Sequence, residues 1–218
     1  MPDFILASYY WGNKKYHKFA KRFADRCKLL KIKYHIEYLQ AFNNKYQEGI
    51  NYKPTFICNV LKKFPNQNVV YLDIDIYINK YPTLFMNPYA DFMCFNWNFD
   101  PYVTVDHKLD PYTIETAGGV FFFSNNKFAK KLLKLWEIAL KKKSYNHCAD
   151  DRVLAMVLYK NNVVDLLRIQ SIPTEYLYIP QFFGHLKLHK KAVFIHDQDI
   201  TTEEEAMLKT KQSKSRIK

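Results

Sequence analysis

The chain has 218 residues, 48% of them hydrophobic and 17% aromatic, which is enough to bury the core of an α/β domain and excludes a disordered chain. Lysine and arginine outnumber aspartate and glutamate by 33 to 21, so the formal net charge is +12, and a basic surface favours ligands or partners that carry phosphate. No stretch approaches the roughly 20 apolar residues of a membrane span, and no secretory signal precedes the first apolar run, so we expect a soluble, cytoplasmic protein.

Short apolar runs alternate with helical patterns through the first half of the chain. Residues 4–9 are predicted to form a buried strand, and apolar residues at helical spacing predict a helix over 13–30. A second strand is predicted over 35–39, a helix that opens near Pro54 over 54–62, and a β-branched strand over 69–72. This alternation favours an α/β sheet whose first strands are parallel.

The second half mixes strands and helices less regularly. Strands are predicted over 91–95, 118–123, 163–169 and 192–195, and helices over 127–142 and 149–159. From Thr201 the sequence becomes polar and charged. We therefore expect one domain over 1–200 and a tail or linker over 201–218, which would suit one domain of a longer polypeptide.

The sharpest chemical feature is Asp73-Ile74-Asp75, directly after the predicted strand 69–72. Two residues one position apart point to opposite sides of a regular strand, so both carboxylates can hold one ion only if the chain bends there. Charges placed next to a buried strand are costly unless something compensates them, and hard oxygen ligands suit Mg²⁺ or Mn²⁺. The pattern predicts a divalent-cation site; the alternative is a D-x-D that only marks a loop or a cap.

The segment from Val69 to Asp75 resembles the D-x-D segment of GT-A-fold glycosyltransferases, most of all retaining, glycogenin-like enzymes and glycosyltransferase domains of large DNA viruses. Further short matches follow in the family's order over roughly residues 4–198, although the D-x-D segment is the distinctive one. The resemblance implies a single α/β domain with a Rossmann-like mixed sheet flanked by helices. It also implies a nucleotide-sugar donor, a glycan or other hydroxyl acceptor, and Mn²⁺ or Mg²⁺ as cofactor.

The same resemblance assigns donor-binding residues. At the end of the first strand, Ala7-Ser8-Tyr9-Tyr10 stands where the family has its nucleotide-binding loop, and Lys53 is similar to a lysine that reaches the donor phosphates. Asp73-Ile74 would contact the donor as well. Gly118-Gly119 resembles the small-residue strand beside the donor sugar, although two glycines can also simply mark a strand start or a bulge.

Metal and catalytic residues follow from the resemblance in the same way. Asp73, Asp75 and His196 would hold the cation, with His185 and His189 as rivals for the histidine. Asp150 and Asp151 are similar to the acidic turn near the reacting carbon, while the alternative is ordinary acidic charge at a helix N-terminus. After His196 the chain reads Asp197-Gln198-Asp199 in place of the glycogenin-like glycine and Lys-Pro-Trp group, so phosphate contacts from that end are not expected.

The predicted function is transfer of a hexosyl group from a UDP-sugar to an acceptor hydroxyl, with retention of configuration implied by the resemblance. Two alternatives remain open. A metal-dependent nucleotidyltransferase would also use paired carboxylates, and the +12 charge would suit a nucleic-acid-binding protein. The lysines are dispersed and form no recognised nucleic-acid motif, so we expect no nucleic-acid partner.

Overall fold

A six-stranded mixed sheet with helices packed on both faces forms the centre of the computed structural model, which describes residues 4–42, 45–99, 114–142, 148–160 and 164–196. Its strands are β1 Phe4–Tyr10, β2 Tyr34–Tyr38, β3 Asn68–Leu72, β5 Phe92–Asn96, β6 Thr116–Phe123 and β7 Ile169–Ser171. A separate two-stranded sheet pairs β4 Ile76–Ile78 with β8 Phe194–His196. The helices are α1 Lys14–Leu29, α2 Tyr46–Asn51, α3 Lys53–Lys63, α4 Lys127–Leu140, α5 Asp150–Lys160 and α6 Pro180–Phe183.

The strand order is β2-β1-β3-β6-β5-β7, and within this sheet β6 runs opposite to both of its neighbours. Central strands are apolar on both faces because each face is covered: in β1, Phe4 and Leu6 join the core under α1, while Ile5 and Ala7 join the core under α3, α4 and α5. Because β6 is reversed, its first residues lie at the edge where β1 and β3 end. Polar residues from three strands therefore meet at one edge.

Most predicted elements are present, with the parallel first half confirmed by the β2-β1-β3 pairing. The strand predicted over 163–169 is wrong: residues Val164–Leu166 form a single 3₁₀ turn, and the strand there is β7. A short apolar run fits a turn as well as a strand, and periodicity alone cannot separate them. The late strand lies over Phe194–His196 rather than 192–195, and the predicted tail 201–218 is outside the described residues.

None of the helices in the described part of the chain has the length and apolarity needed to cross a bilayer.

Far from the polar edge, a buried carboxylate ties three elements together. Asp91 is 2% exposed and accepts hydrogen bonds from the Arg168 backbone N–H (2.9 Å) and from its guanidinium at 2.6 and 3.1 Å. It also accepts one from the Asn126 amide at 2.6 Å, and the oxygen of that amide caps the first turn of α4. Asp91 thereby links the start of β5, the start of α4 and the approach to β7.

Asp91→Ala should lower the free energy of unfolding by about 2–4 kcal/mol, because it leaves several donors of a buried network without an acceptor. Since the Arg168 hydrogen bonds lower the pKa of Asp91 from 3.8 to about 2, the charge-dependent part of the wild-type advantage should be present well above the unfolded pKa of 3.8 and be lost as the pH falls through about 2. Urea unfolding at several pH values measures this. Glu48→Ala, which removes an exposed ion pair with Lys45, is the control and should cost less than about 1 kcal/mol. Equal effects of the two substitutions would contradict the assigned role.

Candidate functional site

The D-x-D segment lies in a tight turn between β3 and β4. The Ile76 N–H donates to the Asp73 carbonyl at 3.0 Å and closes the turn, while the Asp73 N–H donates to the Gly119 carbonyl at 3.0 Å. The bend that two neighbouring aspartates need in order to converge is therefore present. After the turn, β4 pairs with β8 so that Ile76 lies opposite His196, which brings the imidazole beside Asp75.

Asp73, Asp75 and His196 form a candidate metal centre. Each offers a ligand atom, and the three atoms lie within 4.8 Å of one another. The Asp75 Oδ1 atom is buried and accepts no hydrogen bond, with His196 Nε2 at 3.4 Å. A buried carboxylate oxygen without a donor is costly, so it fits a site built for a cation, and two carboxylates with one imidazole suit a divalent ion. Among the described residues this group contains His196, and neither of the rival histidines.

Asp75 and His196 also shift each other's pKa values. Burial alone would lower the pKa of His196, but the Asp75 carboxylate outweighs burial and raises it. Burial alone would raise the pKa of Asp75, but His196 outweighs burial and lowers it. The space between the two side chains thus favours a positive charge, for which a proton and a metal ion compete.

Below this centre, Lys53 supplies a buried positive charge. It begins α3 and is 4% exposed. Its Nζ atom lies 2.8 Å from Asp150 Oδ2 and 3.4 Å from Asp73 Oδ1, and it donates to the Gly118 carbonyl at 3.0 Å. Burial acts to lower the pKa of Lys53, but the two carboxylates outweigh it and raise that pKa, so the ammonium stays charged. Its predicted contact with donor phosphates remains a prediction.

The two acidic residues at the start of α5 have different surroundings. Asp150 is 6% exposed, and burial raises its pKa to about 6 even though Lys53 acts in the opposite direction. Asp151 accepts the Gly118 N–H at 2.9 Å on one oxygen and the Arg152 N–H at 2.7 Å on the other. Burial therefore moves the pKa of Asp150 upwards, whereas Asp151 is fixed to backbone groups. Which of them acts in catalysis remains a prediction.

Gly118 and Gly119 admit these side chains to the site. A Cβ atom on Gly118 would lie 3.2 Å from Asp151 Oδ2, and one on Gly119 would lie 3.1 Å from His196 Nδ1. Both distances are tighter than ordinary contacts. The glycines have a structural reason to be small, which is independent of the predicted approach of a sugar.

A pocket of about 350 Å³ joins the metal centre, the Lys53 cluster and an aromatic wall. Its wall includes Tyr9 and Trp11, whose rings stack at 5.8 Å, and the Tyr9 hydroxyl donates to the Gly49 carbonyl at 2.8 Å. Most predicted site residues line this pocket: Tyr9, Tyr10, Lys53, Asp73, Ile74, Asp75, Gly118, Gly119, Asp150, Asp151 and His196. Ala7 and Ser8 are instead fully buried in β1 and are not among its lining residues.

Sequence reasoning missed several residues of the same pocket, namely Tyr16, Tyr46, Ile50, Tyr71 and Ala149. The apolar run over 69–72 presents Tyr71 only as a strand residue, yet its hydroxyl donates to Asp73 Oδ1 at 2.8 Å. Alternation along the strand could have indicated that Tyr71 and Asp73 share a face. Nothing in the sequence marks Tyr46, because its place in the wall depends on how α2 packs.

Comparison with known proteins found no matching family model and no matching curated protein. Solved structures do match over nearly the whole chain. A glycosyltransferase involved in the glycosylation of the major capsid of PBCV-1 has a TM-score of 0.62 at 15% identity, covering 97% of this chain and 99% of that one. Galactosyltransferase LgtC, in complex with donor and acceptor sugar analogues, has 0.54 at 10% identity, covering 97% and 95%.

The apo form of glycosyltransferase GlyE from Streptococcus pneumoniae has a TM-score of 0.58 at 12% identity, covering 98% of this chain and 60% of that one. The chain thus has the GT-A-like α/β fold of these proteins, which confirms the fold class expected from the D-x-D resemblance.

Proposed function

We propose that this protein is a metal-dependent glycosyltransferase that moves a sugar from a UDP-sugar to an acceptor hydroxyl with retention of configuration. The observation that carries the proposal is the convergence of Asp73, Asp75 and His196 in the lining of a pocket, in a fold shared with glycosyltransferases. Retention and the choice of uracil come from the resemblance of the D-x-D segment to glycogenin-like enzymes.

The charge of the pocket supports a diphosphate donor only together with a cation. Four aspartates line the pocket and one lysine opposes them: Asp73, Asp75, Asp150, Asp151 and Lys53. An anionic ligand would be repelled by this surplus of carboxylates. A divalent ion held by Asp73, Asp75 and His196 would neutralise charge that develops on the leaving diphosphate.

The remaining residues have proposed roles on the donor and the acceptor. Tyr9 and Tyr10 form the wall beside which the base would lie, and rings of this kind can stack on it. Lys53 would keep Asp73 and Asp150 neutralised, and it would face the donor phosphates. Burial raises the pKa of Asp150 to about 6, so this carboxyl group would be suited to exchanging a proton near the reacting carbon. Asp151 would fix the Gly118 backbone where the donor sugar passes.

A thermal-shift panel tests the proposal: UDP, GDP, CDP and ADP, each with Mn²⁺ and with a chelator. A ligand that binds only the folded state stabilises it by about 2.7 kcal/mol at a hundredfold excess over Kd. We expect a shift that needs UDP and Mn²⁺ together. Hydrolysis or transfer from UDP-sugars, followed by product analysis, then identifies the sugar and the stereochemistry.

The alternatives are separated by adding the matching nucleoside triphosphates to this panel and by a separate assay of DNA and RNA binding. A shift with nucleoside triphosphates but not with diphosphates would favour a nucleotidyltransferase. If no nucleotide produced a thermal shift with Mn²⁺, and the protein bound DNA or RNA with a strong dependence on salt, the proposal would be overturned in favour of a nucleic-acid-binding protein.

A further inference from the structure

Two arginines on α1 hold the segment that follows the D-x-D turn. Arg22 donates from its guanidinium to the carbonyl of Asp75 at 2.7 Å. One turn further along the helix, Arg26 donates to the carbonyls of Ile78 at 2.7 Å and Asn79 at 2.8 Å. Both guanidinium groups also lie over the ring of Tyr77, at 5.6 Å and 5.1 Å from its centroid.

Within the described part of the chain, these contacts support a strand that has a single strand neighbour. β4 has three residues and pairs on one edge with β8, which carries His196. So short an element cannot be held by two-stranded pairing alone, because isolated two-stranded ribbons are marginally stable at best. The arginines bind carbonyl groups of this segment from α1, which adds contacts that the two-stranded pairing lacks.

The position of Arg22 differs from that of Arg26 in one respect. Arg22 holds the peptide group of Asp75 itself, the residue whose carboxylate oxygen is buried without a hydrogen-bond donor. Fixing that carbonyl fixes the Cα–Cβ direction of Asp75 relative to His196. Arg26 acts three and four residues further along, where no candidate ligand stands.

We infer that Arg22 is a positioning residue for the cation site, which keeps the Asp75 carboxylate directed at the space shared with Asp73 and His196. The inference rests on the metal centre of the proposed function. Groups that orient a metal ligand without touching the ion typically contribute about 10- to 100-fold to its affinity.

The sign of the effect separates positioning from simple electrostatics. Arg22 carries a positive charge close to the site, and that charge contributes to lowering the pKa of Asp75. If charge alone mattered, removing it would strengthen the binding of a cation. If Arg22 positions Asp75, the same substitution weakens binding.

The experiment titrates Mn²⁺ alone into the wild-type protein, Arg22→Met, Arg22→Lys and Arg26→Met, and follows the free ion by electron paramagnetic resonance. Urea unfolding of the metal-free proteins is recorded in parallel. We expect Arg22→Met to weaken Mn²⁺ binding by about 10-fold or more. Arg22→Lys, which keeps one donor within reach, should recover part of the loss. Arg26 is half-buried like Arg22 and binds the same segment, so Arg26→Met should lose comparable stability. It binds that segment away from the candidate ligands, so the Mn²⁺ affinity should change by less than about threefold.

Unchanged or tighter Mn²⁺ binding by Arg22→Met would overturn the inference and leave the metal centre standing. Equal losses for Arg22→Met and Arg26→Met would also overturn it, because they would assign the effect to the stability of β4. Absence of Mn²⁺ binding by the wild-type protein would remove the metal centre, and with it both this inference and the metal-dependent function.

Discussion

Asp75→Asn should abolish the Mn²⁺-dependent binding of UDP and reduce sugar transfer by at least roughly a hundredfold, since changing a group that merely supports a metal ligand already costs about 10- to 100-fold. Asparagine keeps the shape of the side chain but removes the anionic oxygen. In the native site that oxygen is buried, accepts no hydrogen bond and faces the imidazole of His196 at 3.4 Å, so its surroundings favour a cation there. Isothermal titration of UDP with and without Mn²⁺ measures the loss.

The control for this substitution is Asp25→Asn, the same chemical change on the exposed side of α1. It should bind UDP and Mn²⁺ like the wild type. Both variants should unfold within a few degrees of the wild type in the absence of metal, so that lost binding cannot be ascribed to lost folding. Metal-dependent UDP binding that survives in Asp75→Asn would show that the D-x-D is only a turn.

The sequence predicted the sheet well where the signal was local. β1 and β3 are apolar on both faces, which is typical of central parallel strands, and each ends on polar residues. The apolar runs and the polar residues that follow them are therefore enough to assign both carboxyl ends, and the D-x-D, to one edge of the sheet. His196 could be preferred over two other histidines because it ends a β-type run, and the paired β8 agrees with that choice.

The features that could not be predicted from the sequence depend on contacts between segments that are distant along the chain. β4 is three residues long and carries no periodicity of its own, but its pairing with β8 is what brings His196 to Asp75. Lys53 is one of many lysines, and its burial is explained only by carboxylates that come from β3 and α5. The clearest reason for the two glycines of β6 is the packing of side chains from other elements against them. A Cβ atom on either glycine would lie closer to those side chains than ordinary contacts allow. Local propensity contains none of this information.

Lys53→Met should be the most destabilising single change in the site, with an expected loss of about 3–5 kcal/mol at pH 8, because it leaves buried charge without a partner. Methionine fills the volume of the lysine stem. The cost arises at Asp150, whose carboxylate is 9% exposed and lies 2.8 Å from the ammonium, and to a smaller extent at the more exposed Asp73.

The pH dependence of that loss has a definite sign. Burial already raises the pKa of Asp150 to about 6 with Lys53 present, and removal of the ammonium raises it further. A carboxyl group with a raised pKa favours the folded state in its protonated form. Its cost is therefore absent below about pH 4 and grows as the pH rises through the folded pKa. The free energy of unfolding of Lys53→Met, measured with urea, should approach the wild-type value at pH 4 and fall below it as the pH rises towards 8.

The double variant Lys53→Met/Asp150→Asn decides what the lysine does in function. Both charges of the buried pair are then gone, so most of the stability should return, and the two substitutions should be strongly non-additive. If Lys53 only neutralises the carboxylates, UDP binding in the presence of Mn²⁺ should return together with stability. If its ammonium binds the donor phosphates, as the resemblance implies, the double variant should fold like the wild type and still bind UDP at least about tenfold more weakly. Failure of the double variant to regain stability would mean that the Gly118 carbonyl and Asp73 need the ammonium as much as Asp150 does, and the buried charge at Asp150 would no longer explain why Lys53 is there.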